Sequence, residues 1–275
     1  MSRVTTVVAT RNRWPDLQQS LPRHEGPVLL VDNGSTDDTP ALVRRSFPSV
    51  RVVELPENVG APARNVGVEA ATTPYVAFAD DDSWWAPGML DRAADVFDAH
   101  PRLGLVQGRI LVGPEEQLDP ACEEMSRSPL DATGLPGPGL LGFVACGAIV
   151  RREAYLEAGG FDPVVFFAGE EERLSYDLAA AGWGLAYLSQ LVAHHHPSPV
   201  RDDDGRRRSV IVRNRLLTAL MRRPWPVVVH EARAALADDA PARRGAWEAV
   251  RRAPRALAAR RVVPGYVEKQ LRLLT

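Results

Sequence analysis

Short apolar runs recur through the first half of the chain, and a polar stretch with turn chemistry follows each. Residues 4–9, 28–31, 50–53 and 75–79 have the length and β-branched content of buried strands. Ser35, Thr36, Asp37, Asp38 and Thr39 stand before Pro40, which suits a helix start with proline in the first turn. Residues 60–71 and 88–99 read as helices. Strands alternating with helices of this length predict βαβ units and a mostly parallel sheet flanked by helices. Right-handed crossovers then put the loops after each strand on one edge. Ligands bind at that edge in open α/β sheets.

The second half is less regular. Residues 105–112 and 143–150 read as strands, 113–142 as a long loop rich in Gly and Pro, and 170–181 as a helix stopped by Gly182. After Pro199 the composition turns to Arg and Ala, and helical patterns follow over 206–223, 229–237, 242–261 and 264–274. This change sets a boundary near residue 200, with an α/β domain over 1–200 and an arginine-rich helical extension over 201–275. The 275 residues are 45% hydrophobic and 25% charged, as expected of a globular chain with a sizeable core. No run nears the roughly 20 apolar residues that span a bilayer, and the first residues do not read as a secretory signal. The two cysteines, Cys122 and Cys146, make neither a disulfide framework nor a zinc site, so a reducing cytoplasm is expected.

The net charge of −2 conceals an asymmetry. Residues 201–275 hold 17 Arg and one Lys against eight acids, a net of +10. Such a tail either meets an anionic partner, such as phospholipid or a phosphorylated lipid, or packs on the acidic body. Val210, Val212, Leu216, Leu217, Leu220 and Met221 give its first helix an apolar face that would lie on a membrane or on the domain. Aromatic residues are too sparse among the arginines to suggest nucleic-acid binding.

The chemistry concentrates at predicted strand ends. Asp32 ends the second strand, and Asp80, Asp81 and Asp82 end the fourth. Three consecutive carboxylates repel one another unless a cation sits among them. Mg2+ or Mn2+ is the natural partner, with phosphate oxygens completing its shell. Thr10 and Arg11 close the first strand on the same edge. Asn58 and Arg64 lie before and along the helix over 60–71, where an arginine can reach a phosphate or a base. Glu170 and Glu171 open a helix, where acids also serve the dipole alone. Successive histidines on a strand point to opposite faces, so at most two of His194, His195 and His196 reach one site. Trp84, Trp85 and Trp183 are candidates for stacking on a ligand ring, with a core role at least as open for Trp183.

Taken together, VVATRNR, VDNGSTDDT, ENVGAPARNVG, FADDDSWWAPGML, GGFDPVVFFAGEEERLSYDLAAAGW and VAHHHPS resemble the catalytic domain of a family 2 glycosyltransferase of the GT-A fold. The resemblance covers roughly residues 3–200. It implies an inverting, metal-dependent transfer of a sugar from a nucleotide diphosphate to an acceptor hydroxyl. By position, Thr10 matches the residue at the nucleobase, Asp32 the acid at the base or ribose, and Arg64 the arginine beside the base. Asp80 and Asp82 match the outer acids of the D-x-D motif, the first toward the ribose and the last toward the metal; Asp81 shares the ribose role. Glu170 and Glu171 match a Glu-Asp pair whose second member is the catalytic base, here one methylene longer. Arg173 stands where the family often has another acid. His195, three residues before Ser198, matches a metal- or diphosphate-binding histidine.

The resemblance also implies a UDP- or dTDP-sugar donor. The acceptor is a lipid-linked or small glycoside, and the enzyme works in the cytoplasm, at the inner face of the membrane if the tail reaches it. A non-catalytic nucleotide-sugar binder of the same fold is the alternative. A nucleotidyltransferase would want a glycine-rich loop with a lysine after the first strand, where TRNRWPDL stands instead.

Overall fold

The computed structural model describes residues 2–198 and 204–274. In chain order the elements are β1 (Val4–Thr10), α1 (Trp14–Ser20), β2 (Val28–Asp32), α2 (Thr39–Ser46), β3 (Arg51–Glu54), α3 (Ala63–Ala70), β4 (Tyr75–Asp80) and β5 (Ser83–Trp85). They continue with α4 (Met89–Ala99), β6 (Leu103–Val112), β7 (Gln117–Leu118), α5 (Pro120–Ser126), β8 (Ala148–Arg151), α6 (Arg152–Glu157), α7 (Glu170–Ala180) and β9 (Gly184–His195). The tail holds α8 (Asp204–Arg222), α9 (Trp225–Ala237), α10 (Ala240–Ala258) and α11 (Gly265–Leu271). The boundary expected at residue 200 lies outside the described residues.

One sheet runs in the order β3-β2-β1-β4-β8-β6-β9-β5, with β7 on β6. The four strands read from the first half are parallel throughout. Beyond β4 the sheet is mixed, since β8 runs antiparallel to both β4 and β6, and β5 antiparallel to β9. Apolar side chains of β1, β2 and β4 (Val7, Leu29, Val31, Val76 and Phe78) pack with Tyr155, Phe161 and Leu174 in the main core. A second cluster on the other face joins Leu90 and Phe97 of α4 to Leu103, Val106 and Ile149.

Two sequence readings are corrected. The run over 143–150 is not one strand. A 3-10 turn at Ala145–Gly147 precedes β8, because Val144 N donates to the buried Gln107 Oε1 at 2.8 Å and a Cβ on Gly147 would lie 2.4 Å from Gln107 Nε2. The stretch 113–142 is not wholly loop. It forms β7 and α5, with Asp119 capping α5 by accepting from Ala121 N.

The tail packs on the domain. Leu216, Leu217 and Met221 of α8 are buried in a cluster with Val165, Ala246 and Ala249, and Val212 and Leu220 pack against it. The apolar face of α8 is therefore mostly covered by protein, chiefly other helices of the tail. A Cβ on Gly245 would lie 2.3 Å from Ser209 O, so glycine lets α10 approach α8 closely. Val267 and Leu271 of α11 return to the main core. Among the described residues no helix is long and apolar enough to cross a membrane.

Candidate active site

The strand order places β1 between β2 and β4, so connections leave β1 in both directions and open a crevice at its carboxyl end. Thr10 and Asp80 sit at that point. Thr10 Oγ1 donates to Asp81 Oδ2 at 3.1 Å. Arg64, buried on α3, pairs with Asp80. Burial opposes the Arg64 charge, but Asp80, Glu170 and Glu171 outweigh it and keep the guanidinium protonated. Asp32 is buried at the end of β2, and both its oxygens accept from Ser35, one from the backbone N–H at 3.0 Å and one from the hydroxyl. Arg11 is exposed, with Nε donating to Gly34 O at 3.1 Å. Asn58 Oδ1 accepts from Gly60 N at 2.9 Å. Sequence reading missed Asn33. Its Oδ1 accepts from Val59 N at 2.9 Å and its Nδ2 donates to Gly60 O at 3.0 Å, stitching the Asn58 loop to β2.

The acidic turn meets the histidine strand through register. β5 begins one residue after Asp82, and its antiparallel pairing sets Ser83 opposite His195 and Trp84 opposite His194. Among the described residues, Asp80, Asp82 and His195 form a group whose ligand atoms all lie within 4.8 Å of one another. Asp82 Oδ1 is buried and meets no hydrogen-bond donor in good geometry; His195 Nε2, 3.3 Å away, is an ion-pair contact. An under-satisfied carboxylate oxygen beside a second carboxylate and an imidazole fits a divalent cation. Burial resists ionisation of Asp82, yet His195 and the Ser198 N–H, which donates to Oδ2 at 3.1 Å, hold its carboxyl below the ordinary range. Burial, then the charges of Asp82 and Asp80, push Asp81 up to about 7 despite the Thr10 hydroxyl.

Strand alternation decides among the histidines. His194 stacks on Trp84 at 5.5 Å and His196 tilts against the same ring at 4.7 Å, while His195 faces Asp82. Ser198 was legible only as part of a spacing. Here it donates its N–H to Asp82 and accepts from Arg13 Nη1 at 2.9 Å. The tryptophans are not sugar platforms. All three are buried, Trp85 Nε1 donating to Phe78 O and Trp183 Nε1 to Glu157.

The acid pair opens α7 behind Gly169, where the helix dipole favours negative charge. Glu170 is buried. Burial and then Glu171 push its carboxyl up to about 8, against Arg64. Glu171 is half-buried and also raised by burial, with the Ala145 backbone and Arg64 opposing. The guanidinium of Arg64 thus lies in the field of both the acidic turn and the acid pair.

Arg173 points away from this cleft. It donates to Asp162 Oδ2 at 2.9 Å and to Gly160 O at 2.9 Å, and pairs with Asp177 Oδ2 at 2.8 Å. Asp177 in turn accepts from Arg222 of α8. An arginine where an acid was expected is therefore a strut. Arg173→Met would leave the half-buried Asp162 without its charged partner, while Asp177 keeps Arg222. We expect a loss of about 1–3 kcal/mol of stability, read as a lower denaturant midpoint at unchanged m.

The sequence model of Glycosyl transferase family 2 matches residues 5–159, more than half of the chain, and the protein belongs to this family. The chain is 34% identical over 212 residues to the pre-mycofactocin glycosyltransferase of Mycobacterium tuberculosis, covering 72% of this chain and 44% of that one. It is 29% identical over 206 residues to the N-acetylglucosaminyl-diphospho-decaprenol L-rhamnosyltransferase of the same organism, covering 62% and 66%. The matches thus span less than two thirds of these relatives. Among solved structures, the mannosyltransferase PcManGT of Pyrobaculum calidifontis, in complex with GDP-Man and Mn2+, aligns with a TM-score of 0.61 at 23% identity, over 94% of this chain and 73% of that one. The fold is GT-A.

Proposed function

We propose that this chain is an inverting glycosyltransferase using a nucleotide diphosphate sugar. The observation that carries this reading is the β5–β9 register. It gathers Asp80, Asp82 and His195 at the crevice, next to Arg64 and facing the acid pair of α7. Asp80, Asp82 and His195 would hold Mg2+ or Mn2+, which would supply positive charge to offset that on a departing diphosphate.

The remaining work falls to the chain. Thr10, Asp32 and Arg64 orient the nucleoside, with uracil or thymine favoured, and Asn33 fixes the Asn58 loop beside it. Glu171, the more open of the pair, removes the acceptor hydroxyl proton as the oxygen attacks C1 in line with the leaving diphosphate. Such a base is worth roughly 10²–10⁴ in rate. Glu170 stays closed off and shapes the field around Arg64. A base of this kind also favours an enzyme over a mere binder. The test is turnover of a panel of nucleotide sugars by the full chain with Mn2+. Metal-dependent release of a nucleoside diphosphate is expected, and no release from any donor would overturn the reading.

The acceptor is a hydroxyl on a lipid-linked or small glycoside, in keeping with the decaprenol diphosphate in one relative's name. A peripheral membrane contact suits this acceptor, through the exposed side of α10 and the groove it forms with α8 and α9. Trp247, Val250 and Leu257 of α10 stand exposed beside Arg243, Arg244, Arg251 and Arg255, above an apolar groove of about 280 Å3 lined by Leu220, Leu236 and Trp247. That groove holds no ionisable lining residue and is no reaction site. Sedimentation with phosphatidylglycerol vesicles should fall at least about tenfold in Trp247→Glu/Arg251→Glu, since each basic residue near an anionic surface contributes about 1 kcal/mol. Equal binding of the variant, or equal binding to neutral vesicles, would count against this contact.

A further inference from the structure

We infer that Asn214, in the tail helix α8, is a positioning residue for the acid pair of α7. The inference rests on the catalytic reading of that pair. The loop over 162–169 leads directly into Glu170 and Glu171, and its backbone is strained. Phe166 and Ala168 hold φ of 70° and 66°, a left-handed conformation that non-glycine residues rarely adopt, and Gly169 follows at 85°. Such geometry persists only where the surroundings impose it.

Four hydrogen bonds to its carbonyls from outside the loop impose it. The fully buried Asn214 Nδ2 donates to Phe167 O at 2.6 Å and to Ala168 O at 2.7 Å. Its Oδ1 accepts from Arg213 Nε at 2.9 Å, which fixes which end of the amide faces the loop. From α10, Arg252 Nη1 donates to Val164 O at 3.1 Å, and Val165 is buried among the tail residues. On the other side, Phe166 O accepts from Ala61 N at 2.6 Å, and a Cβ on Gly60 would lie 2.4 Å from the same oxygen.

The loop is thus clamped between the tail and the segment that carries Asn58 and leads into Arg64. The two Asn214 bonds fall on the last two carbonyls before Gly169, where a small backbone rotation swings the start of α7. Asn214 is one of several buried polar residues of α8, with Ser209, Arg213, Thr218 and Arg222. Its two donors are spent on one strained turn. The tail therefore acts on the acceptor side of the reaction rather than merely adding bulk.

The test compares wild type, Asn214→Leu, Glu171→Gln and Glu170→Gln. Transfer or donor hydrolysis, nucleoside diphosphate affinity and amide hydrogen exchange are followed well below each melting temperature. We expect kcat in Asn214→Leu to fall about 10²-fold, the scale of a small misplacement of a reacting group. Nucleotide Kd should stay within about twofold, and exchange over 165–170 should accelerate at least about tenfold. Arg252→Ala, at a half-exposed position, should loosen the same loop to a smaller degree and serves if the leucine variant does not fold. Wild-type kcat and unchanged loop exchange in a folded Asn214→Leu would overturn the inference. Failure of the catalytic reading shows differently, as wild-type turnover in both Glu171→Gln and Glu170→Gln.

Discussion

Asp82→Asn is expected to reduce transfer by about 10³-fold or more while leaving the fold intact. The substitution preserves shape, and the Ser198 N–H that donates to Oδ2 keeps an acceptor. What disappears is one of the two negative charges in the group of Asp80, Asp82 and His195. The leaving diphosphate gathers charge in the transition state, and offsetting it is worth several kcal/mol, with each 1.36 kcal/mol a factor of ten. The loss should fall on kcat more than on folding, because the amide keeps the Ser198 contact and one oxygen of Asp82 was under-satisfied already. Steady-state rates across Mn2+ concentrations check this. A variant rescued to wild-type rate by excess Mn2+ would mean that the carboxylate only raises metal affinity.

The second large effect belongs to the acid pair. Glu171→Gln should lower transfer by about 10²–10⁴ while nucleotide binding persists. The pH dependence separates the two carboxyls. Both are raised by burial, and Glu171 raises Glu170 further. A base acts in its ionised form, and burial raises the Glu171 carboxyl, so the acidic limb of activity should lie above the ordinary carboxylate range near 4.5. If Glu170 were the base, Glu171→Gln would remain active and its acidic limb would move to lower pH, because a neighbouring negative charge is gone. The same shifts bear on stability. A carboxyl harder to ionise when folded makes the native state bind more protons than the unfolded chain. The unliganded protein should therefore lose stability as pH rises from about 4.5 to about 8.

The parallel half of the sheet was legible because β1, β2 and β4 are apolar runs of strand length bounded by turn residues. The acids at their ends followed from crossover handedness. The remainder was hidden for specific reasons. The apolar run at 143–150 carries the composition of a strand, and only the Gln107 side chain across from it explains the turn. α1 and α6 are short, at seven and six residues, too brief for a periodic signal. The three adjacent histidines could be sorted only once β5 fixed the register of β9. Asn33 and Asn214 work by bonding distant backbone, and nothing local marks them. The apolar face of α8 was visible, yet sequence alone left both bilayer and protein open as its partner; the cluster with Ala246 and Ala249 of α10 and with Val165 of the domain shows protein covering most of it.

The most direct measurement is calorimetric titration of the full chain with uridine, thymidine and guanosine diphosphates, with and without Mn2+, in wild type and Asp82→Asn. The account predicts that at least one nucleotide binds ten times more tightly, or better, when Mn2+ is present, and that the substitution removes this gain. Affinity indifferent to Mn2+ for all three, or a gain fully retained in Asp82→Asn, would contradict it.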